Sequence, residues 1–225
     1  MEFLRHIIDN IRHHVLPEKE RFIRHPGKRA AIAFEKEEMR REAHERRQQV
    51  KHELHAHATM AALNHVEKHI AIPKGAVVGG YWPIGRELNV KPLLRHLVKQ
   101  GHVVVLPYAH ERGTPLEFRE WKERHEMVLD NFQIPAPGPE ARILVPDILI
   151  VPVLSFDRAG RRLGYSAGFY DVTLAHLRER HKIIAVGVGF ATQEVPRVPT
   201  DEHDQSLDFI VTERGVIRAG NIAEG

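Results

Sequence analysis

The sequence predicts an α/β protein built on a mostly parallel sheet, and three observations carry that expectation. Ile148, Leu149, Ile150, Val151, Val153 and Leu154 form a near-continuous apolar run without period-2 alternation, which asks for burial on both faces, as in a parallel sheet. Strand-like and helix-like stretches alternate along the chain from Gly75 onward. Residues 30–70 contain neither Gly nor Pro and are rich in Ala, Glu, Lys, Arg and Gln, a composition that favours long helices ahead of the sheet.

Residues 1–29 are basic and irregular, with Phe3, Leu4, Ile7, Ile8 and Ile11 at helical spacing before Pro17, Pro26 and Gly27. They read as an extension made of a short amphipathic helix and a linker, and residues 30–225 as one domain. The helical region 30–70 is long enough for two helices or one bent one. Lys36 and Arg40, four apart, share a helix face and could meet one polyphosphate, or simply lie among Glu37, Glu38, Arg41 and Glu42 on a solvated face. His65 and His69 have the spacing of a helical ligand pair, but no HExxH accompanies them, and a polar helix face explains them as well.

A first β-α unit follows. Gly75 to Ile84 reads as a strand closing at Pro83, and Asn89 caps a helix carrying Val90, Leu93, Leu94 and Leu97, which Gly101 stops. His102 to Pro107 is a second buried strand, and Pro115 to Trp121 alternates as a strand with one exposed face. The apolar run at 148–154 is the central strand. Gly160, Gly164 and Gly168 punctuate the loop after it, with Arg158, Arg161 and Arg162 between them, and a helix starts near Gly168 and passes Leu174, Leu177 and Arg178. Strand, basic glycine-rich loop, helix is an arrangement that can hold an anion at the helix N-terminus; a tight turn needing glycines only for geometry gives the same spacing. The loop is neither a Walker loop nor a GxGxxG fingerprint. Lys182 to Phe190 and Asp208 to Thr212 supply the last strands.

Composition narrows the chemistry. With no cysteine there is no disulfide, no thiolate zinc ligand and no thiol nucleophile. No segment approaches the ~20 apolar residues of a membrane span, and the first residues lack the uninterrupted apolar core of a secretory signal, so a cytoplasmic protein without membrane partners is expected. The net charge of +3 comes from 33 basic and 30 acidic residues, too small an excess to argue for nucleic acid.

Several segments resemble the 5-formyltetrahydrofolate cyclo-ligase family. Arg162-Leu163-Gly164-Tyr165 followed by Gly168-Phe169-Tyr170-Asp171 resembles its RLGYGGGYYDR signature, with Ser166 and Ala167 in place of two glycines and Val172 in place of a basic residue. Lys36 to Arg40, then Arg46-Arg47, resembles its early KxxxLR helix; Tyr81 to Glu87 resembles YxPxxxE; and Val195 to Asp204 resembles the LPxExHD turn. Four ordered motifs over about residues 30–218 are far more specific than any one of them.

The resemblance implies a three-layer, Rossmann-like α/β sandwich. It also implies an ATP- and Mg²⁺-dependent ligase that cyclises 5-formyltetrahydrofolate to 5,10-methenyltetrahydrofolate. On it, Lys36, Arg40 and Arg162 would meet phosphate; Gly164, Tyr165, Ser166, Ala167, Gly168 and Tyr170 would shape the nucleotide loop; Glu87, Trp121 and Tyr170 would orient the reduced folate; and Asp171 and Asp204 would hold Mg²⁺. The departures at Ser166, Ala167 and Val172 leave room for a relative acting on another substrate, and the basic N-terminal part for a non-catalytic nucleotide- or RNA-binding module, although that part lacks the clustered aromatics of single-strand binding.

Overall fold

The computed structural model describes residues 26–165 and 167–220. The helix expected near residues 3–11 and the loop residue Ser166 lie outside them. Two helices come first, α1 (Pro26–Gln48) and α2 (His52–His69), beginning four residues before the expected boundary. The break between them falls at residues 49–51, where the chain turns and Val50 is buried.

The described chain continues β1 (Val77–Gly79), α3 (Lys91–Lys99), β2 (Val103–Tyr108), β3 (Glu117–Glu120), β4 (Met127–Leu129), β5 (Pro135–Pro137), β6 (Ile148–Pro152), β7 (Ser155–Phe156), β8 (Arg162–Leu163), α4 (Phe169–Arg178), β9 (Ile184–Val188), β10 (Phe209–Thr212) and β11 (Gly215–Arg218). Asn89 acts at the start of α3 as expected, its side-chain oxygen accepting from the Lys91 N–H at 3.1 Å, although Val90 is the capping position.

Among these elements seven strands form one sheet in the order β11-β10-β9-β6-β1-β2-β3. The pairs from β10 through β9, β6 and β1 to β2 are parallel, and the two edge strands, β3 and β11, are antiparallel to their neighbours. The central run is therefore the middle strand, as its composition required. Its residues alternate between two cores: Ile148 and Ile150 pack with α2 and α3 residues such as Val66, Leu94 and Leu97, while Leu149 and Val151 pack with Leu174 and Leu177 of α4. The result is a helix–sheet–helix sandwich, the expected three layers. Each of these side chains stabilises by about 1.5–3 kcal/mol relative to exposure.

Two local expectations change, and one stretch not assigned above takes a defined form. The strand at 115–121 is not exposed on one face, because Arg119 and Glu120 are both below 10% exposed: Arg119 donates to the Pro137 carbonyl at 3.1 Å and Glu120 accepts from Arg142 at 2.6 Å. The 131–137 stretch is half of a hairpin, β4 with β5. The basic loop opens with another hairpin, β7 with β8, whose turn is pinned by buried Asp157 accepting from the Ala159 and Arg161 N–H groups. Gly160 is required in that turn, since its φ is +84° and a Cβ would stand 2.5 Å from the Leu207 carbonyl oxygen.

Candidate active site

Strand order fixes where the site lies. From β1 the chain moves to β2 on one side and, through β6, to β9 and β10 on the other, so β1 and β6 flank the point where the winding reverses. Crevices at the carboxyl ends of such strands are where open α/β sheets bind ligands. A cavity of about 870 Å³ opens there, lined by Tyr81, Trp82, Ile84 and Glu87 after β1, Pro107 and Ala109 at and after the end of β2, Pro152 ending β6, residues 162–165 and 167–171 from β8 to the start of α4, and Lys36 and Arg40 of α1. Its size suits a substrate of several hundred daltons.

One group of lining side chains is ionic. Lys36 donates to Asp201 at 2.8 Å and Asp204 at 2.5 Å, with its side chain only 12% exposed. Burial pulls its ammonium down, but the two carboxylates outweigh that and hold it above the ordinary lysine range. Burial pushes Asp201 up, and Lys36 with the His203 N–H more than reverses this, leaving it below the usual carboxylate range. One turn further along α1, Arg40 donates to the Gly164 carbonyl at 3.1 Å and pairs with Glu37. Arg162, buried, donates to Asp171 at 2.8 Å, and the Gln205 N–H donates to the same carboxylate oxygen. The Arg162 Nε is buried without a partner among the described residues, a spare donor beside the cavity. Gly168 sits at the start of α4 with φ +69°, a left-handed conformation that starts the helix against the loop.

The other group is aromatic and dry. Glu87 is 7% exposed, and its carboxylate accepts the Ile84 N–H at 2.9 Å. Burial raises its pKa to about 7, against the opposing effects of that N–H and the Arg47 charge. Tyr81 donates to the Leu88 carbonyl at 2.8 Å. Burial pushes the Tyr165 and Tyr170 phenols up, with the Glu87 charge adding to it. The Tyr165 hydroxyl lies within electrostatic reach of Glu87 and Arg47 but makes no hydrogen bond of good geometry to either. Phe132 meets Phe169 edge-on at 4.9 Å, and Lys91 lies 3.6 Å over the Trp82 ring, where an ammonium is attracted to the π face.

The structure brings together on this cavity Lys36, Arg40, Glu87, Arg162, Gly164, Tyr165, Ala167, Gly168, Tyr170, Asp171 and Asp204. Trp121 is not among them. It is 4% exposed in the core with α3 and β2 residues and does not line the cavity, so the expected substrate contact is corrected: ending an antiparallel edge strand, its ring turns into the core, and Trp82 is the tryptophan at the cavity. Sequence reasoning also passed over Trp82, Asp130 and Asp201. Asp201 stood inside the quoted 195–204 turn; Asp130 comes from the β4–β5 hairpin and gave no local signal.

Fold and cavity thus define an α/β protein of the class that binds ligands at the sheet's switch point. A model of the 5-formyltetrahydrofolate cyclo-ligase family matches residues 32–213, and the chain belongs to that family. Among curated relatives, the 5-formyltetrahydrofolate cyclo-ligase of Escherichia coli strain K12 is 34% identical over 131 residues, covering 56% of this chain and 71% of that protein. The Haemophilus influenzae protein of the same name is 31% identical over 170 residues, covering 71% and 86%. Among solved structures, the Aquifex aeolicus 5,10-methenyltetrahydrofolate synthetase superposes with a TM-score of 0.69 at 27% identity, covering 83% of this chain and 93% of that one. The family, and with it the expected enzyme class of cyclo-ligase, is borne out. No helix among the described residues is long and apolar enough to cross a membrane.

Proposed function

We propose that this protein closes 5-formyltetrahydrofolate to 5,10-methenyltetrahydrofolate with ATP as co-substrate and Mg²⁺ present, releasing ADP and phosphate. The observation that carries the reading is a single cavity with two kinds of lining, cations that suit polyphosphate and a buried acid among aromatics that suits a flat heterocycle.

A formamide oxygen is a poor leaving group. In the proposed reaction it attacks the γ-phosphorus of ATP, ADP departs, N10 adds to the formyl carbon and gives up its proton, and the carbon–oxygen bond breaks with loss of phosphate. Catalysis of such a transfer is alignment and charge neutralisation. Lys36, Arg40 and Arg162 bind and orient the phosphates and balance the charge that builds on the transferred group. The 164–170 loop presents the nucleotide, while Glu87 and Tyr170 hold the folate so that its formyl oxygen faces the phosphate.

Asp171 and Asp204 fit Mg²⁺ in type. Asp171 makes its bonds through Oδ1 and Asp204 through Oδ2, so the other oxygen of each is outside those bonds. Among the described residues no three acidic or histidine groups cluster into a metal cage, so an ion here would draw its remaining ligands from phosphate and water. When bound it would neutralise phosphate charge.

The test is incubation of the purified protein with 5-formyltetrahydrofolate, Mg²⁺ and ATP, following the near-ultraviolet absorbance of the methenyl product. Product that depends on ATP is the expected result. ATP binding without product would move the assignment to a relative with another substrate, which the sequence departures at Ser166, Ala167 and Val172 would then explain.

A further inference from the structure

Arg47 has no place in the reaction outlined above. It follows Lys36 by 11 residues, about three turns of helix, so it lies on the same face of α1 as Lys36 and Arg40. It is 6% exposed, forms no ion pair with a carboxylate among the described residues, and has a buried Nη1 without a partner there. A cation near the end of a helix is favoured by the helix dipole, yet an exposed side chain gives that benefit at less cost, since burying a charge is expensive unless something compensates. What faces it is the dry part of the cavity. Its guanidinium lies 5.0 Å over the Tyr165 ring, and its charge acts on Glu87, Tyr81 and Tyr165.

We infer that Arg47 is a positioning residue: from behind the cavity wall it fixes where Tyr165 and Glu87 stand and supplies the positive charge that faces them. It does not line the cavity and acts on substrate only through those two residues. Glu87 is faced by Arg47 from α1, by Tyr165 and Tyr170 from the loop and α4, and by Tyr81 on its own segment; among these Arg47 is the cation. One helix then sets both groups of the cavity, through Lys36 and Arg40 for the ionic group and through Arg47 for the dry one. The inference rests on the proposed reaction only for which substrate is affected.

The experiment compares Arg47→Gln, Arg47→Lys and the parent chain. In Arg47→Gln the KM for 5-formyltetrahydrofolate should rise about tenfold while that for ATP stays within about twofold. The acid limb of kcat/KM should move upward by at least about half a pH unit, because loss of the facing cation disfavours the Glu87 carboxylate. Arg47→Lys should restore the position of that limb but not the whole KM, since an ammonium keeps the charge and loses the planar stack on Tyr165. Carbon-13 NMR titration of the Glu87 carboxyl without substrate reads the same effect apart from turnover, with a higher midpoint expected in Arg47→Gln. If Arg47→Gln does not fold, Arg47→Lys carries the test through its unequal effects on KM and pH limb. An unmoved Glu87 midpoint in a folded Arg47→Gln protein, or equal KM changes for both substrates in Arg47→Lys, overturns the inference. A moved midpoint in a protein that never forms product upholds it and overturns the proposed reaction alone.

Discussion

The two linings of the cavity handle charge in opposite ways. In the ionic group each principal cation has a polar partner at 2.5 to 3.1 Å, Lys36 with Asp201 and Asp204, Arg40 with the Gly164 carbonyl and Glu37, and Arg162 with Asp171. In the dry group Glu87 has one backbone N–H and a more distant arginine, and burial dominates its ionisation. The first arrangement neutralises itself and can exchange partners when a polyphosphate arrives; the second holds a carboxyl near its switching point, where a ligand's hydrogen bond decides its charge. A phosphoryl transfer asks for fixed positive charge, and recognition of a heterocycle asks for a tunable one.

The strongest way to break the contrast is to remove the fixed charge. Lys36→Ala should lower kcat on the order of a thousandfold, the scale expected when a preorganised charge at a developing anion is lost. The fold should persist, because Asp201 and Asp204 remain partly exposed and can turn to water. Initial rates beside far-ultraviolet circular dichroism check both; an active Lys36→Ala protein would remove Lys36 from the phosphate site.

The tunable group should announce itself in stability. Glu87 has its pKa raised from 4.5 to about 7 on folding, so between those values the folded chain binds more protons than the unfolded one. Its contribution to stability is therefore largest at low pH and is lost as pH rises through that window, by at most on the order of 3 kcal/mol. Glu87→Gln should gain stability relative to the parent chain between pH 5 and pH 8, as read by urea unfolding at the two pH values, and lose affinity for the folate. A pH-independent difference would mean that Glu87 titrates as an ordinary glutamate.

The contrast also separates what was legible in the sequence from what was not. The ionic group could be read because its cations lie in a helix and a loop with fixed spacing, and the central strand because burial on both faces leaves an unbroken run of aliphatic residues. The hairpins β4–β5 and β7–β8 escaped because strands of two or three residues, one containing two prolines, show no period. β11 escaped because its pairing with β10 is a tight hairpin after Thr212 in a half-buried, mixed sequence. Arg47 was quoted with Arg46 after the KxxxLR helix, but its burial was not legible: Lys36, Arg40, Ala43 and Arg47 form a stripe that turns inward although three of its residues are charged. Apolar periodicity does not register a helix whose buried face is cationic. Trp121 failed the other way: an aromatic at a strand end looks alike whether it lines a cavity or fills a core.

The smallest expected effect sharpens the comparison at the loop itself. Val172, the fourth residue of α4, lines the cavity where the family signature carries a basic residue. Val172→Arg adds a cation within reach of the ionic group and in the first turn of a helix, where the dipole disfavours it by about 0.3–1 kcal/mol. With Asp171 engaged by Arg162, the new guanidinium should turn to the nucleotide. The KM for ATP should fall about two- to fivefold, with the folate KM unchanged and Tm lower by about 1–4 °C. That combination would show that the ionic lining takes further positive charge at the expense of stability, while the dry lining is indifferent to it. An unchanged or higher KM for ATP would mean that Lys36, Arg40 and Arg162 already saturate the site, and that a valine at position 172 is no handicap.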